Sequence, residues 1–273
     1  MRKFLVATAL TVAAQTAMAA DMPGLGPLRG SLIDPPSRVV NWEGFYVGGQ
    51  AGYGTSDMDF SNATSSLAHQ MLTLTTIENE FNVSQWPVLG KQSAHGNGYG
   101  AFAGYNWQWD DVILGIEGNY LHGNFGGSAS GSMARSFTTS DGYTNGVTYT
   151  SAATMNVKDV GSIRGRAGWA IGSFLPYAFG GVSLGQADIL RSATVRGQQV
   201  NANAAPGFQQ INFNYSQSLP QNNHFLYGYS GGLGIDIMVF SGLFVRAEWE
   251  YQKFAAPINT AVSTVRGGVG YKF

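Results

Sequence analysis

Nine ionisable side chains are spaced so that they could do chemistry: Glu117, Arg164, Arg166, Asp236, Arg246, Glu248, Glu250, Arg266 and Lys272. Four are acids and five are bases, and several stand two apart, as in Arg164-Gly165-Arg166 and Glu248-Trp249-Glu250. Residues two apart on a strand share a face. The pair Arg164–Arg166 suits an anion. The near balance of signs suits a wall of buried ions that compensate one another, because a buried charge needs a partner. A second candidate is imidazole: "HGNG" at His95 and "HGNF" at His122. Two imidazoles held together could bind a metal or haem iron. Standing apart, each is a polar residue beside Tyr99 or Tyr120.

Strands must position these groups. "GFYVGGQAGYG" alternates Phe45, Val47, Gly49, Ala51 and Tyr53 on one face with Tyr46, Gly48, Gln50 and Gly52 on the other, which is a strand period. Three later segments fold on themselves as hairpins. One centred between Trp109 and Asp110 sets Tyr99 opposite Tyr120 and Trp107 opposite Val112. It also puts His122 opposite Asn97, diagonally close to His95. One centred on Ser173 sets Trp169 opposite Tyr177 and Ala167 opposite Phe179, with Arg166 opposite Gly180 on the second face. One centred on Phe240 sets Leu233 opposite Ala247, with Gly234 opposite Arg246 and Ser230 opposite Glu250. With the first strand and "STVRGGVGYKF" the count is eight, all antiparallel. Every strand has an apolar face with aromatics toward its ends. The charges fall on the other face, beside glycines that leave room for a long Arg or Glu.

Short turns join the hairpins at one end. At the other end long Ser/Thr/Asn/Gln-rich connections run from Thr55 to Ala94, Gly123 to Met155 and Gln186 to Asn223, and read as loops; His69 and His224 read as lying in loop regions. Loops of that length count against a compact soluble domain and fit a barrel with short periplasmic turns and long extracellular loops. Charged residues are only 11% while aromatics reach 13% and glycine 38 residues, which suits neither an ordinary soluble surface nor disorder. Net charge is −1, so nothing points to nucleic acid. With no Cys there is no disulfide frame and no thiolate nucleophile.

"MRKFLVATALTVAAQTAMAA" has Arg2 and Lys3, a short apolar run and Ala17-Met18-Ala19, so residues 1–19 read as a secretory signal. Residues 20–43, rich in Pro and Gly, read as a periplasmic arm, and 44–273 as the barrel. The expected fold is all-β, an eight-stranded antiparallel transmembrane β-barrel. Lipid cannot satisfy a free strand edge, so the sheet must close. Eight strands leave an interior just filled by side chains, which disfavours a wide pore. Closure explains why apolar alternation runs through Tyr271 to Phe273: the last strand is the seam against Phe45–Tyr53.

The motifs "NWEGFYVGGQAGYG", "GAFAGYNWQ", "LGIEGNY", "IRGRAGWAIGSFLPYAFGGVSLG", "VRAEWEYQKF" and "VRGGVGYKF", in that order, resemble the small OmpA-like barrels known as porin-family outer-membrane proteins and surface antigens of alphaproteobacteria. The resemblance covers Phe45 to Phe273. It implies a bacterial outer-membrane location among lipids and lipopolysaccharide. It also implies assembly by the outer-membrane insertion machinery reading Tyr271 and Phe273, and a structural or surface role without chemistry or cofactor. No chain remains for the peptidoglycan-binding domain of larger relatives. Lipid-hydrolysing barrels of related architecture use a Ser two residues after a His, and none of His69, His95, His122 and His224 has one. The rival readings are a surface protein whose long loops bind haem, metal or an adhesion partner, and a narrow porin.

Overall fold

The computed structural model describes residues 40–255 and 257–273, so the signal and most of the arm lie outside the described residues. Eight antiparallel strands close into one barrel in chain order. They are β1 (Gly44–Asp59), β2 (Lys91–Trp109), β3 (Val112–Thr138), β4 (Thr144–Trp169), β5 (Phe174–Val200), β6 (Gln210–Met238), β7 (Leu243–Ala255) and β8 (Asn259–Lys272). The segment between β1 and β2 carries α1 (Ser65–Leu72), α2 (Thr76–Phe81) and a 3-10 turn at Val83–Gln85. The seam pairs Val47 with Tyr271 and Tyr53 with Val265. The Phe273 amide donates to the Phe45 carbonyl at 2.9 Å, so the ladder runs to the last residue.

All three hairpin registers differ from expectation. In β2–β3, Trp109 pairs with Val112 and Tyr99 with His122, two residues from the expected pairing. The turn is Asp110-Asp111, and Asp110 takes a left-handed φ of 51°, which Asp tolerates. The β6–β7 pairing is also displaced by two, so Leu233 faces Trp249 and Asp236 faces Arg246. A two-residue slip keeps each side chain on its face. The β4–β5 slip is one residue: Gly168 pairs with Tyr177 and Arg166 with Phe179. A one-residue slip exchanges the faces of a strand. Tyr177 and Phe179, expected outside, are therefore inside and only 5% and 7% exposed. The cause is the turn, where Gly172 with φ 57° lets Ile171 bridge Phe174 and sets the centre half a residue before Ser173.

The expected second and third long loops are strand. β3 to β6 run 27, 26, 27 and 29 residues, and His224 lies on β6. Their turns are confined to residues 139–143 and 201–209. The Ser/Thr/Asn-rich sequence resembles loop because its outward side chains are polar, yet Val147, Tyr149, Met155, Ile189 and Val195 alternate inward and are buried. Register shifts at His122/Phe125, Val157/Asp159 and Ala187/Ile189 lie side by side across β3–β6. Below them β4 buries Val160, Ser162, Arg164 and Arg166. Above them it buries Val157, Met155 and Ala153, so the inward set changes from even to odd numbers, as an irregularity of this kind allows.

Above the shifts, the segment between β1 and β2 packs on the inner face of the four long strands. Leu67, Ala68 and Leu72 of α1, with Ile77, Val83 and Trp86, form one core with Val147, Tyr149, Ala193 and Val195. Below the shifts the outer surface is an apolar belt, including Ile163, Val182, Leu233 and Val265, each at least 60% exposed. Aromatics border it at both rims: Trp107, Trp109, Trp169 and Phe273 at one, Tyr53, Tyr99, Tyr227 and Tyr229 at the other.

Candidate functional site

The barrel interior below the register shifts brings together eight of the ionisable residues picked from the sequence. Glu117, Arg164, Arg166, Asp236, Arg246, Glu248, Glu250 and Arg266 are each at most 4% exposed. Arg246 holds Asp236 with two bonds, Nε to Oδ1 at 2.8 Å and Nη2 to Oδ2 at 3.0 Å. Its Nη1 crosses the lumen from β7 to Glu117 Oε2 on β3 at 2.7 Å. Arg166 Nη2 donates to Asp236 Oδ2 at 2.7 Å. Arg164 Nε donates to Glu117 Oε1 at 2.9 Å, and its Nη2 to both Glu248 oxygens at 2.8 Å. Arg266 pairs with Glu250 and donates to Asn119 Oδ1 at 3.0 Å. Such charge-assisted and two-pronged bonds are the strong class of hydrogen bond.

Lys272 stands apart from this network. Its Nζ donates to the Glu43 carbonyl at 2.8 Å at the barrel's mouth. Beside it, Trp42 is 1% exposed, its amide donates to Gln108 Oε1 at 2.7 Å and its carbonyl accepts from Asn106 at 3.2 Å. It packs edge-on against Phe244.

Sequence reasoning missed the aromatic half of the site. Tyr46 donates to Glu117 Oε2 at 2.7 Å and Tyr177 to Glu248 Oε1 at 2.6 Å. The guanidinium of Arg166 lies 3.8 Å from the Tyr177 ring centre, Arg246 3.9 Å from Phe102 and Arg164 4.1 Å from Phe179, all within cation–π range. The available signal was glycine. A Cβ at Gly104 would meet the Tyr46 hydroxyl at 2.4 Å and one at Gly234 the Tyr177 ring at 2.5 Å, while one at Gly52 would meet Arg266 Cγ at 2.6 Å. Inward glycines make room for rings as well as for arginines.

The expected proximity of His95 and His122 fails with the register. His122 lies opposite Tyr99, four residues along β2 from His95, or about 13 Å. His122 Nδ1 bonds Asp159 Oδ1 at 2.7 Å, and His95 Nδ1 bonds Thr55 at 3.2 Å. Among the described residues no group of three potential metal ligands forms.

A closed eight-stranded barrel with an apolar belt, two aromatic rims and ions inside is the arrangement lipid demands, and the sequence agrees. It matches the family model described as "Outer membrane protein beta-barrel domain" over residues 4–273. The chain belongs to this family. As an outer-membrane barrel it sits among lipids and lipopolysaccharide, its short turns periplasmic and its long strands extracellular. It is 26% identical over 176 residues to the 25 kDa outer-membrane immunogenic protein of Brucella ovis, covering 64% of this chain and 62% of that one. The match therefore spans less than two thirds of that relative. It is 27% identical over 190 residues to the 31 kDa outer-membrane immunogenic protein of Brucella melitensis biotype 1, covering 68% and 67%. Among solved structures it is similar to Ail of Yersinia pestis, crystallised with a heparin analogue, at 15% identity and TM-score 0.36, covering 84% of this chain and 99% of that one. It is also similar to Neisserial surface protein A at 14% identity and TM-score 0.32, covering 84% and 97%. The family places the barrel in the bacterial outer membrane.

The extracellular head of this outer-membrane barrel has a buried clamp of its own. Glu78 on α2 accepts from Ser84 N at 3.0 Å and Ser84 Oγ at 2.5 Å, and meets His69 Nδ1 at 2.9 Å. Burial pushes its carboxyl up, but the bonds from His69 and Ser84 outweigh it and hold the group below the ordinary carboxylate range.

Proposed function

We propose that the protein is a non-conducting anchor that holds a rigid β-structured head above the outer membrane. The observation that carries this reading is the lumen. Arg246 and Arg164 tie β7 and β4 to Glu117 on β3, with rings stacked on each guanidinium. A hydrophobic core lies above this layer, including Phe60, Phe125, Leu226 and Phe254. Trp42, Phe102 and Phe244 lie below it. Ions fixed on one another leave no hydrated path for a solute, which argues against a narrow porin. The same geometry argues against catalysis, because every carboxylate of the network is spent on a guanidinium and no His is in reach. Haem or metal capture by His95 and His122 loses its support with their separation. Planar-bilayer recording of the refolded protein tests the reading. Closed behaviour is expected, and a large steady conductance from protein with a boil-sensitive gel shift overturns it.

The seam carries a second proposal, that the insertion machinery reads Tyr271 and Phe273. Both side chains stand on the lipid face, 46% and 69% exposed, and pack edge-to-face at 5.1 Å, an aromatic signal at the strand that completes the barrel.

A further inference from the structure

We propose that the outer face of the extracellular head binds an acidic saccharide, with Arg196 as the residue that takes its carboxylate. The register builds the site. Ala134, Thr148, Arg196 and Asn214 pair in sequence across β3, β4, β5 and β6, forming one row. Ser136, Gly146, Gln198 and Asn212 form the next row toward the tips. These residues are exposed or half-buried, and they line a broad, shallow depression of the sheet's outer face that lies wide open to solvent.

Its chemistry is specific. No carboxylate lines it, and the cation on its outer side is Arg196. The neighbouring Arg135 alternates to the inner side, where it lies over the Trp86 ring at 5.0 Å. Arg196 enters no ion pair or side-chain hydrogen bond among the described residues. By contrast, every arginine of the lumen is paired. A planar guanidinium free to make two parallel bonds fits a carboxylate. Gln198, Asn212 and Asn214 flank it with groups that both donate and accept, as hydroxyls require. Adjacent strands stand about 4.8 Å apart, so neighbouring amides are spaced for a sugar ring. A Cβ at Gly146 would meet only Gln198 Cγ, at 3.9 Å, so packing does not require glycine there, and its lack of a side chain keeps the middle of the depression low.

The full chain in phospholipid nanodiscs free of lipopolysaccharide tests this, with trigalacturonic acid as probe and its methyl ester as the neutral control. The acid should bind at least tenfold more tightly than the ester. Arg196→Gln should weaken the acid at least tenfold. Gly146→Val, which raises a branched side chain in the middle of the depression without changing charge, should do the same. Lys253→Gln, on another face, should leave binding unchanged, and a boil-sensitive gel shift shows each variant folded. Equal losses from Arg196→Gln and Lys253→Gln would reveal general charge attraction and overturn the site, as would undiminished binding by folded Gly146→Val. Two sources can supply such a sugar, neighbouring lipopolysaccharide and glycans from outside. Nanodiscs containing lipopolysaccharide with acidic core sugars separate them. Competition with the probe assigns the membrane's own glycan, and unchanged probe affinity assigns an external one.

Discussion

Along β5 the same strand serves two opposite worlds. In the membrane Val182 and Leu184 point out, each 63% exposed, while Tyr177, Phe179 and Ser183 point in. Above the register shifts Ile189, Ala193 and Val195 point in, and Thr194 and Arg196 point out. The membrane zone is apolar outside and ionic inside, and the head is polar outside and apolar inside. The surrounding solvent fixes the outer face, and the inner face then takes the chemistry left to it. Inside the membrane zone, paired ions and stacked rings fill the lumen. In the head, an inserted helical segment supplies a soluble-type core.

The strongest way to break this comparison is to remove one ion from the lumen. Arg246→Ala leaves Asp236 and Glu117 short of a partner, and the loss of one side of a buried pair costs about 3–5 kcal/mol. Urea unfolding in detergent should show it, and an unchanged midpoint would mean the network is dispensable. A matched pair of lysines sharpens the outer-face claim. Val182→Lys should cost ~2–4 kcal/mol, less if the residue lies toward the bilayer edge. Thr194→Lys on the same strand should stay within about 0.5 kcal/mol. Equal costs would place the membrane boundary elsewhere.

Deleting Phe273 removes lipid-facing apolar area worth at most about 1.5–3 kcal/mol. Refolding of purified protein into lipid should be near normal, while surface abundance in cells should fall sharply if the insertion machinery reads the residue. Normal abundance would remove that proposal. The smallest effect belongs to the head. Glu78 has a lowered folded pKa, so its stabilisation is complete above the unfolded value of about 4.3 and is lost as pH falls through the folded value. Amide exchange in α1 and α2 should therefore accelerate below about pH 4 relative to the barrel strands, and Glu78→Gln, worth about 1 kcal/mol at neutral pH, should abolish that acceleration.

The class of fold is written in local sequence. Two-residue alternation, aromatics at both ends of each apolar run, eight such runs and a last run ending on Phe273 are local patterns. Lipid permits them only one solution, a closed sheet. The faces of seven strands were legible for the same reason, and so was the inward placement of eight of the nine ions picked, Lys272 excepted; buried Glu78 and Arg191 were not. Which side chains meet across the lumen depends on the closed barrel. Arg246 and Glu117 are 129 residues apart, and nothing local links them. The facing of Tyr177 and Phe179 hung on one residue of register at Gly172, a choice made by turn geometry and closure together. The extension of β3–β6 was hidden because polar outward residues look like loop until an inner partner is known, and that partner, the segment carrying Leu67, Leu72 and Trp86, packs there from a distant part of the chain.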